Sequence, residues 1–523
     1  MKRLLALTLM AALLVSMAGI TALAEGELAG NMYVSGPQIL KDKQTFTIAV
    51  TKDPSSLNGF ADKQAVIDTE AVTNVHIDWI DIPAAAWKEQ VNILLASGNL
   101  PDAFCGANVD ILPNLEMFQP LTELIYKYAP NIVEMLETDP AIKAAITAPD
   151  GEIYCLPTNK DNPSDSVSPL LWINQEWLDK LGLEMPTTTD EFVAVLRAFK
   201  TQDPNGNGIA DEIPLQAQMD TSSRWLYPML GSFGAVDNTE HAYAVDGKVI
   251  FGATEPGYFD GLKWLHELWV EGLIADDSFT ADTAQVTAKA QATDIPYGSI
   301  IYWIPDAMDK RYAGWEVVPP LAGPDGTRLT IATRKPLGNM TGYSITTACK
   351  DPAVLVRYYD YCLSFEQLML WQWGPVGGGC WKPVPEAGEF AWTQTLEFVP
   401  ADMSQEYFKR TICPSIYSPN YIWSKWSKME VADARNAKKR AGNAEYLKYA
   451  ADAMPLGMDD PDRANARNLL FTDIDNYVKK FFATVVVDGI TEEQWQEHLK
   501  NCEKLRVAEY VRLWQEYYDE KTK

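Results

Sequence analysis

Histidine is nearly missing: four in 523 residues, which leaves little room for His-clustered metal centres or imidazole general-base chemistry. Cysteine is sparse and scattered, seven residues at positions 105, 155, 349, 362, 380, 413 and 502. With no C-x-x-C and no Cys/His cluster at zinc spacing, they read as small buried hydrophobes, a disulfide framework being the alternative. Positive charge is in deficit, 44 Lys plus Arg against 71 Asp plus Glu, for a net charge of −27 and a pI near 4.6. Nucleic acid and anionic membrane surfaces need a basic footprint, so both are excluded as partners. Beyond the N-terminus no stretch approaches the ~18 uninterrupted apolar residues that span a bilayer. H-E-x-x-H, G-x-S-x-G, P-loop and G-x-G-x-x-G motifs are all missing. Paired carboxylates abound among 71 acids. Their separation in space is what would matter, so no pair in sequence is evidence of glycoside hydrolysis.

What is present starts with an address. Met1-Lys2-Arg3 is a short basic region, Leu4 to Leu23 is apolar, and Ala22-Leu23-Ala24 fits a cleavage site ahead of Glu25-Gly26-Glu27. Residues 1–24 are therefore expected to be a signal peptide, and the mature chain to be exported and soluble. Loss of Lys2 and Arg3 removes two positive charges and takes −27 to −29.

The length exceeds what one hydrophobic core organises, so two or three lobes are expected. Thr45 to Val50 reads as a strand, with a loop at Asp53-Pro54-Ser55, and Val75 to Trp79 alternates as a second strand. Trp87, Val91, Leu94 and Leu95 share one helical face that Gly98 closes, and a short strand begins at Asp102. Glu176 to Lys180 and Thr189 to Lys200 are predicted helices, the second with Thr189 as N-cap and Phe192, Val193, Leu196 and Phe199 as its apolar stripe. Phe259 to Val270, one helix from Val354 to Trp371, and a charge-rich pair from Glu492 to Asp519 complete the pattern. Strands alternating with helices imply an α/β fold with a mostly parallel sheet.

The sharpest local motif is Asp203-Pro204-Asn205-Gly206-Asn207-Gly208-Ile209-Ala210-Asp211-Glu212. Oxygen side chains at positions 1, 3 and 5 with Gly at 6 reproduce the start of a calcium loop, and position 7 supplies the Ile209 carbonyl. Position 12 is Pro214 instead of Glu, so Asp211 and Glu212 would complete a structural Ca²⁺ site with Asp203, Asn205 and Asn207. An Asn/Gly turn after a helix is the alternative. Aromatics are the second signal: Trp303 follows Ile300-Ile301-Tyr302, Trp371-Gln372-Trp373 precedes a Gly-rich run, and Tyr417, Tyr421, Trp423 and Trp426 crowd a Pro-broken segment. Rings on loops cover the C–H face of a pyranose while polar neighbours take its hydroxyls, with core packing the competing reading.

Gly151-Glu152-Ile153-Tyr154-Cys155-Leu156-Pro157, then Leu171-Trp172-Ile173-Asn174-Gln175-Glu176-Trp177-Leu178-Asp179-Lys180-Leu181-Gly182-Leu183, resembles the extracellular solute-binding proteins of ABC importers. Pro186-Thr187-Thr188-Thr189-Asp190-Glu191-Phe192 and the Asp203 to Pro214 loop follow in that family's order. The nearest branch is the LipO-like and alginate-binding-protein-like group of oligosaccharide-binding proteins. Leu95-Ala96-Ser97-Gly98-Asn99-Leu100-Pro101-Asp102 and Pro319-Pro320-Leu321-Ala322-Gly323-Pro324-Asp325-Gly326 add weaker matches.

The resemblance implies a two-lobed type II periplasmic-binding-protein fold with an interlobe ligand cleft. Residues 45–160 with about 330–395 would form the N-terminal lobe, and about 161–329 with 396–523 the C-terminal lobe. It implies no catalysis, a monomer, an oligosaccharide or glycoside ligand, and an ABC permease as partner. Asp203, Asn205, Asn207, Ile209, Asp211 and Glu212 match the family's calcium ligands, and Asp53, Trp303, Trp373, Tyr417, Tyr421 and Trp423 are the ligand-binding candidates. Family lipoproteins carry a Cys directly after the cleavage site. Here Ile20 follows Met17-Ala18-Gly19, no lipobox Cys is found, and the expected location is extracellular or cell-surface. A binding protein for peptides or another small metabolite, a secreted glycoside hydrolase, and a sensor or adhesin are the rivals.

Overall fold

The computed structural model describes residues 27–522 apart from 53–55, 57, 139, 159–166, 168, 220–225, 306–307, 333–339, 402, 404, 415–433, 453 and 456. The predicted signal peptide, Asp53, Tyr417, Tyr421 and Trp423 thus lie outside the described residues. The chain divides into two compact units. Unit one comprises Met1–Thr158, Thr341–Pro375 and Arg410–Ser418; unit two comprises Asn159–Met340, Val376–Lys409 and Pro419–Lys523.

Nine strands build the two main sheets: β1 (Gln44–Lys52), β2 (Val75–Pro83), β3 (Ala103–Cys105), β4 (Cys155–Leu156), β5 (Leu170–Ile173), β6 (Ile213–Gln216), β7 (Tyr297–Tyr302), β8 (Glu316–Val317) and β9 (Tyr343–Ile345). Unit one carries the order β2-β1-β3-β9-β4, with β1 parallel to both β2 and β3 and β9 antiparallel to β3 and β4. Inside the sheet, β1 buries residues on both faces, Phe46 and Ile48 on one and Ala49 on the other, as a strand covered by helices must. At the edge, β2 alternates instead: Val75 and Ile77 are buried while Asp78 is exposed, and its outward charges discourage pairing with a further strand.

In unit two the order is β8-β5-β7-β6, with β7 parallel to β6 and antiparallel to β5. The register sets Ile300 opposite Gln216 and Tyr302 opposite Leu170. The helix Thr189–Thr201 buries Phe192, Leu196 and Phe199 in a core shared with Leu265, Phe482 and Tyr510. Thr188, not Thr189, is its N-cap: the Thr188 hydroxyl accepts from the Glu191 N–H at 3.2 Å and the Glu191 carboxylate accepts from the Thr188 N–H at 3.2 Å, a capping box. The helix Pro461–Asp488 runs for 28 residues and turns Ile474, Val478, Phe482 and Val485 inward at helical spacing.

The single helix expected from Val354 to Trp371 is two, Pro352–Cys362 and Phe365–Trp373, because Ser364 adopts an extended conformation and interrupts the turn between them. The C-terminal pair is Glu492–Lys504 and Val507–Thr522, divided at Arg506, whose φ is +61°. All seven cysteines are free thiols, six of them buried. Burial pushes the Cys502 thiol up to about 12, so these groups stay protonated and behave as small apolar side chains.

Candidate functional site

The Asp203 loop joins the helix Thr189–Thr201 to β6 and is organised by its own side-chain oxygens. Asp203 Oδ1 accepts from the N–H groups of Gly206 at 3.0 Å and Asn207 at 3.1 Å, and Oδ2 accepts from Gly208 at 3.0 Å. Asn205 Oδ1 accepts from Asn207 N and Asn207 Oδ1 from Ile209 N. Gly206 and Gly208 have φ of +75° and +76° with open space around them, so glycine is there for backbone conformation and not for want of room. The result is a tight loop whose backbone N–H groups converge on the side-chain oxygens of Asp203, Asn205 and Asn207.

Two features of the loop's electrostatics bear on whether it could hold a cation. The amide nitrogens of Asn205 and Asn207 both point at Asp211, at 3.2 and 3.1 Å from its Oδ1, the only positive dipoles meeting that charge within the loop. Glu212 Oε1 is buried without a hydrogen-bond partner, a costly arrangement for a carboxylate. Burial, together with the negative charges of Asp203 and Asp211, holds the Glu212 carboxyl above its usual range. Among the described residues no three His, Cys, Asp or Glu side chains gather closely enough to hold a metal by themselves. The Asn amides and the Ile209 carbonyl are therefore necessary members of any cation site here. That all-oxygen donor set fits a hard cation such as Ca²⁺. Lys180 Nζ, 3.3 Å from the Pro204 carbonyl, fastens the loop to the helix Gln175–Leu181.

Of the aromatic candidates, two are described: Trp303 at the end of a strand and Trp373 at the end of a helix. Trp303 follows β7 directly and is half-buried, with the Lys439 ammonium 4.4 Å from its ring centroid. Because β7 and β6 run parallel, Trp303 and Gln216 stand at the same carboxyl end of the sheet, where open α/β sheets bind their ligands. In unit one, Trp373 is the last residue of its helix and is half-buried. Position 53 follows the carboxyl end of β1, which closes at Lys52. Trp371, two residues before Trp373, is a core residue, buried and donating its indole N–H to Thr69 Oγ1 at 2.8 Å.

Sequence reading missed three buried lysines among the described residues, Lys63 and Lys439 at 2% exposure and Lys409 at 4%. Nothing in a periodicity argument marks a lysine as buried, since its partners come from distant segments.

A two-unit α/β protein with a tryptophan at the carboxyl end of a central strand and an oxygen-lined loop has the architecture of a solute-binding protein. The sequence pattern of the bacterial extracellular solute-binding protein family matches residues 50–368, more than half of the chain, and the chain belongs to that family. It is 29% identical over 506 residues, 92% of this chain and 91% of the relative, to the fructooligosaccharide ABC transporter substrate-binding protein FusA of Streptococcus pneumoniae. The solved structure of FusA in complex with kestose superposes with a TM-score of 0.79 at 27% identity, covering 91% of this chain and 99% of that one. A FusA EF-hand mutant in complex with fructo-nystose gives 0.78 at 27% identity, with the same coverage of both chains. The fold is the two-lobed α/β solute-binding fold expected from the sequence. These relatives are substrate-binding proteins of ABC transporters, not enzymes. Among the described residues no helix is long and apolar enough to cross a membrane.

Proposed function

We propose that this chain is an exported substrate-binding protein that delivers an oligosaccharide, with fructooligosaccharides the first class to test, to an ABC permease. The observation that carries the reading is the likeness to FusA over nine-tenths of both chains. The half-buried Trp303 at the carboxyl end of β7 supports it by supplying the flat apolar surface a sugar ring needs. Units one and two are taken as the two lobes. Trp303, Trp373, Tyr417, Tyr421 and Trp423 provide stacking surfaces and Asp53 accepts a hydroxyl hydrogen bond. The protein acts as a monomer outside the cell or at its surface. A thermal-shift screen against kestose, nystose, other oligosaccharides and short peptides tests this. A saturable shift with a glycan recovered intact is expected. Shifts from peptides alone would overturn the sugar reading, and a cleaved glycan would overturn the binding-protein reading.

The loop from Asp203 to Glu212 is taken to hold a structural Ca²⁺ through Asp203, Asn205, Asn207, Asp211, Glu212 and the Ile209 carbonyl. The presence of an EF-hand in FusA supports this, and so does the orphaned Glu212 oxygen. Bound Ca²⁺ at a hundredfold excess over its dissociation constant stabilises the folded chain by about 2.7 kcal/mol. Chelation is expected to lower the melting temperature accordingly, and Asp203→Ala to abolish the response to Ca²⁺. A melting temperature indifferent to chelator would reduce the loop to a turn.

A further inference from the structure

The sequence holds three Asn-Gly steps: Asn58-Gly59, Asn205-Gly206 and Asn207-Gly208. Each sets a side-chain amide beside a backbone nitrogen that no following Cβ screens, the arrangement in which asparagine closes on the chain and loses ammonia. We infer that Asn205 and Asn207 are deamidation sites that Asp203 holds shut: its carboxylate binds the two backbone nitrogens that would attack, so the amides persist while the loop is closed and are converted when it opens. Because those bonds lie within the chain, the protection depends on neither calcium nor ligand.

The step is a substitution at the side-chain carbon. The glycine nitrogen gives its proton to solvent and bonds to Cγ of the preceding asparagine. The Cγ–Nδ2 bond breaks, and the amide group takes a proton from solvent and leaves as ammonia. Water, the co-reactant, then opens the cyclic imide. Cleavage at Cγ gives aspartate, and cleavage at the backbone carbonyl gives isoaspartate.

Burial does not protect these amides, since both asparagines are only half-buried and both glycines are exposed. Hydrogen bonds do. The Gly206 N–H donates to Asp203 Oδ1 and the Gly208 N–H to Asp203 Oδ2, each at 3.0 Å. An anion at the hydrogen resists loss of that proton, because a second negative charge would form against the first. The side chains are held at both ends. Asn205 Oδ1 accepts from Asn207 N at 3.0 Å and its Nδ2 donates to Asp211 Oδ1 at 3.2 Å. Asn207 Oδ1 accepts from Ile209 N at 2.7 Å and its Nδ2 donates to Asp211 Oδ1 at 3.1 Å. Turning either amide plane toward attack breaks two bonds. Asn58 differs: among the described residues its amide makes one bond, from Nδ2 to the Thr411 carbonyl at 3.4 Å, and the Gly59 N–H donates to no acceptor. Conversion in the loop is also self-defeating for its geometry, since at Asn207 it replaces the donor that faces Asp211 with a carboxylate.

The test incubates the full mature chain with chelator at mildly alkaline pH and measures aspartate and isoaspartate at each Asn-Gly step by peptide mapping and mass spectrometry. It compares wild type, Asp203→Ala, Asp203→Asn and wild type unfolded in urea, with Asn58, in the other unit, as an internal clock. Asn205 and Asn207 in folded wild type are expected to convert about tenfold more slowly than in urea, the factor that one bond to a charged group supplies. Asp203→Ala should raise both rates toward the urea value and leave the Asn58 rate unchanged. Asp203→Asn should separate the two sites while keeping the backbone, because the φ of +47° at this position suits asparagine. Its amide oxygen can keep the bonds that Oδ1 makes with Gly206 and Asn207, but its nitrogen cannot accept from Gly208. Asn207 should therefore accelerate more than Asn205. Loop rates in folded wild type equal to those in urea overturn the inference. So does an Asp203→Ala chain in which Asn58 speeds up in step with the loop, the sign of general unfolding, or one in which Asn205 and Asn207 stay slow, the sign that the fold protects them without Asp203.

Discussion

Replacing His241 with asparagine is expected to destabilise the chain by about 3–5 kcal/mol, the usual cost of breaking a buried ion pair from one side. His241 is fully buried, and each ring nitrogen faces a carboxylate: Nδ1 lies 2.9 Å from Asp237 Oδ1 and Nε2 lies 3.2 Å from Asp475 Oδ1. Asp237 is itself buried and also accepts from the Tyr258 hydroxyl at 3.1 Å. Asp475 sits on the helix Pro461–Asp488 and pairs with Lys479 at 2.8 Å. The imidazolium thus ties the segment before the strand Ala242–Val245 to a helix more than 200 positions later in the sequence. Asparagine is the informative replacement. His241 has a φ of +54°, a conformation asparagine tolerates, so the loss reports the missing charge and not backbone strain.

The same site gives the stability a pH signature. Burial alone would lower the His241 pKa, but the two carboxylates outweigh it and raise the pKa to about 9. A folded-state value above the ordinary ~6.5 means the folded chain binds the proton more tightly than the unfolded one. The contribution is whole below about pH 6.5 and is lost as pH rises through about 9. His498 works in the opposite sense. Packed against Phe481 with ring centroids 3.9 Å apart and accepting no charge partner, it is lowered by burial to about 4. Its contribution is present above pH 6.5 and is lost as pH falls toward 4. Urea midpoints from pH 6 to 9.5 should decline in wild type and lie flat in His241→Asn; a parallel decline in both would remove His241 as the cause.

Much of the scaffold was legible because short-range patterns decide it. The alternation Val75-His76-Ile77-Asp78-Trp79 is an edge strand with Val75 and Ile77 inward, and the face Trp87, Val91, Leu95 is buried as its spacing requires, ending at Gly98 in the left-handed region. Even the misplaced cap was within reach: Thr188 and Glu191 stand three apart, the capping-box spacing, whereas Thr189 has no such partner. The break at Ser364 was not legible. Apolar residues continue across it at helical spacing, and only the packing of each half, Leu355 and Tyr359 before it and Leu368 and Met369 after it, separates them. The buried ions were still less accessible. Lys63, His241 and Lys439 are polar letters whose meaning depends on groups far along the chain. The turn of the Asp203 loop was readable for the converse reason, since its oxygen side chains lie within ten consecutive residues.

Lys63 shows how much such a hidden contact carries. Its ammonium is 2% exposed and donates to the carbonyls of Arg410 at 2.6 Å and Cys413 at 2.8 Å and to Ser56 Oγ at 3.0 Å. Those carbonyls belong to the last turn of the helix Gln405–Ile412 and the residue after it, where backbone acceptors have no partner within the helix and the dipole favours a cation. Asn58 adds a bond from its side chain to the Thr411 carbonyl at 3.4 Å. Arg410–Ser418 belongs to unit one, and Lys63, with Ser56 and Asn58, bonds its described residues there. Lys63→Met keeps the aliphatic stem but withdraws the charged donor from both carbonyls, the Arg410 carbonyl keeping its bond from Ser56 Oγ at 3.2 Å; a hydrogen bond to a charged group contributes about 1.5–3 kcal/mol. A loss near 3 kcal/mol in urea denaturation is therefore expected, with faster tryptic cleavage after Lys409 and Arg410 as the local sign. An unchanged midpoint and digestion rate would mean that the helix end is held without the lysine. The direction of the effect follows from the asymmetry of buried hydrogen bonds: making one contributes little net stability, whereas withdrawing a charged donor leaves the acceptor's desolvation less fully offset.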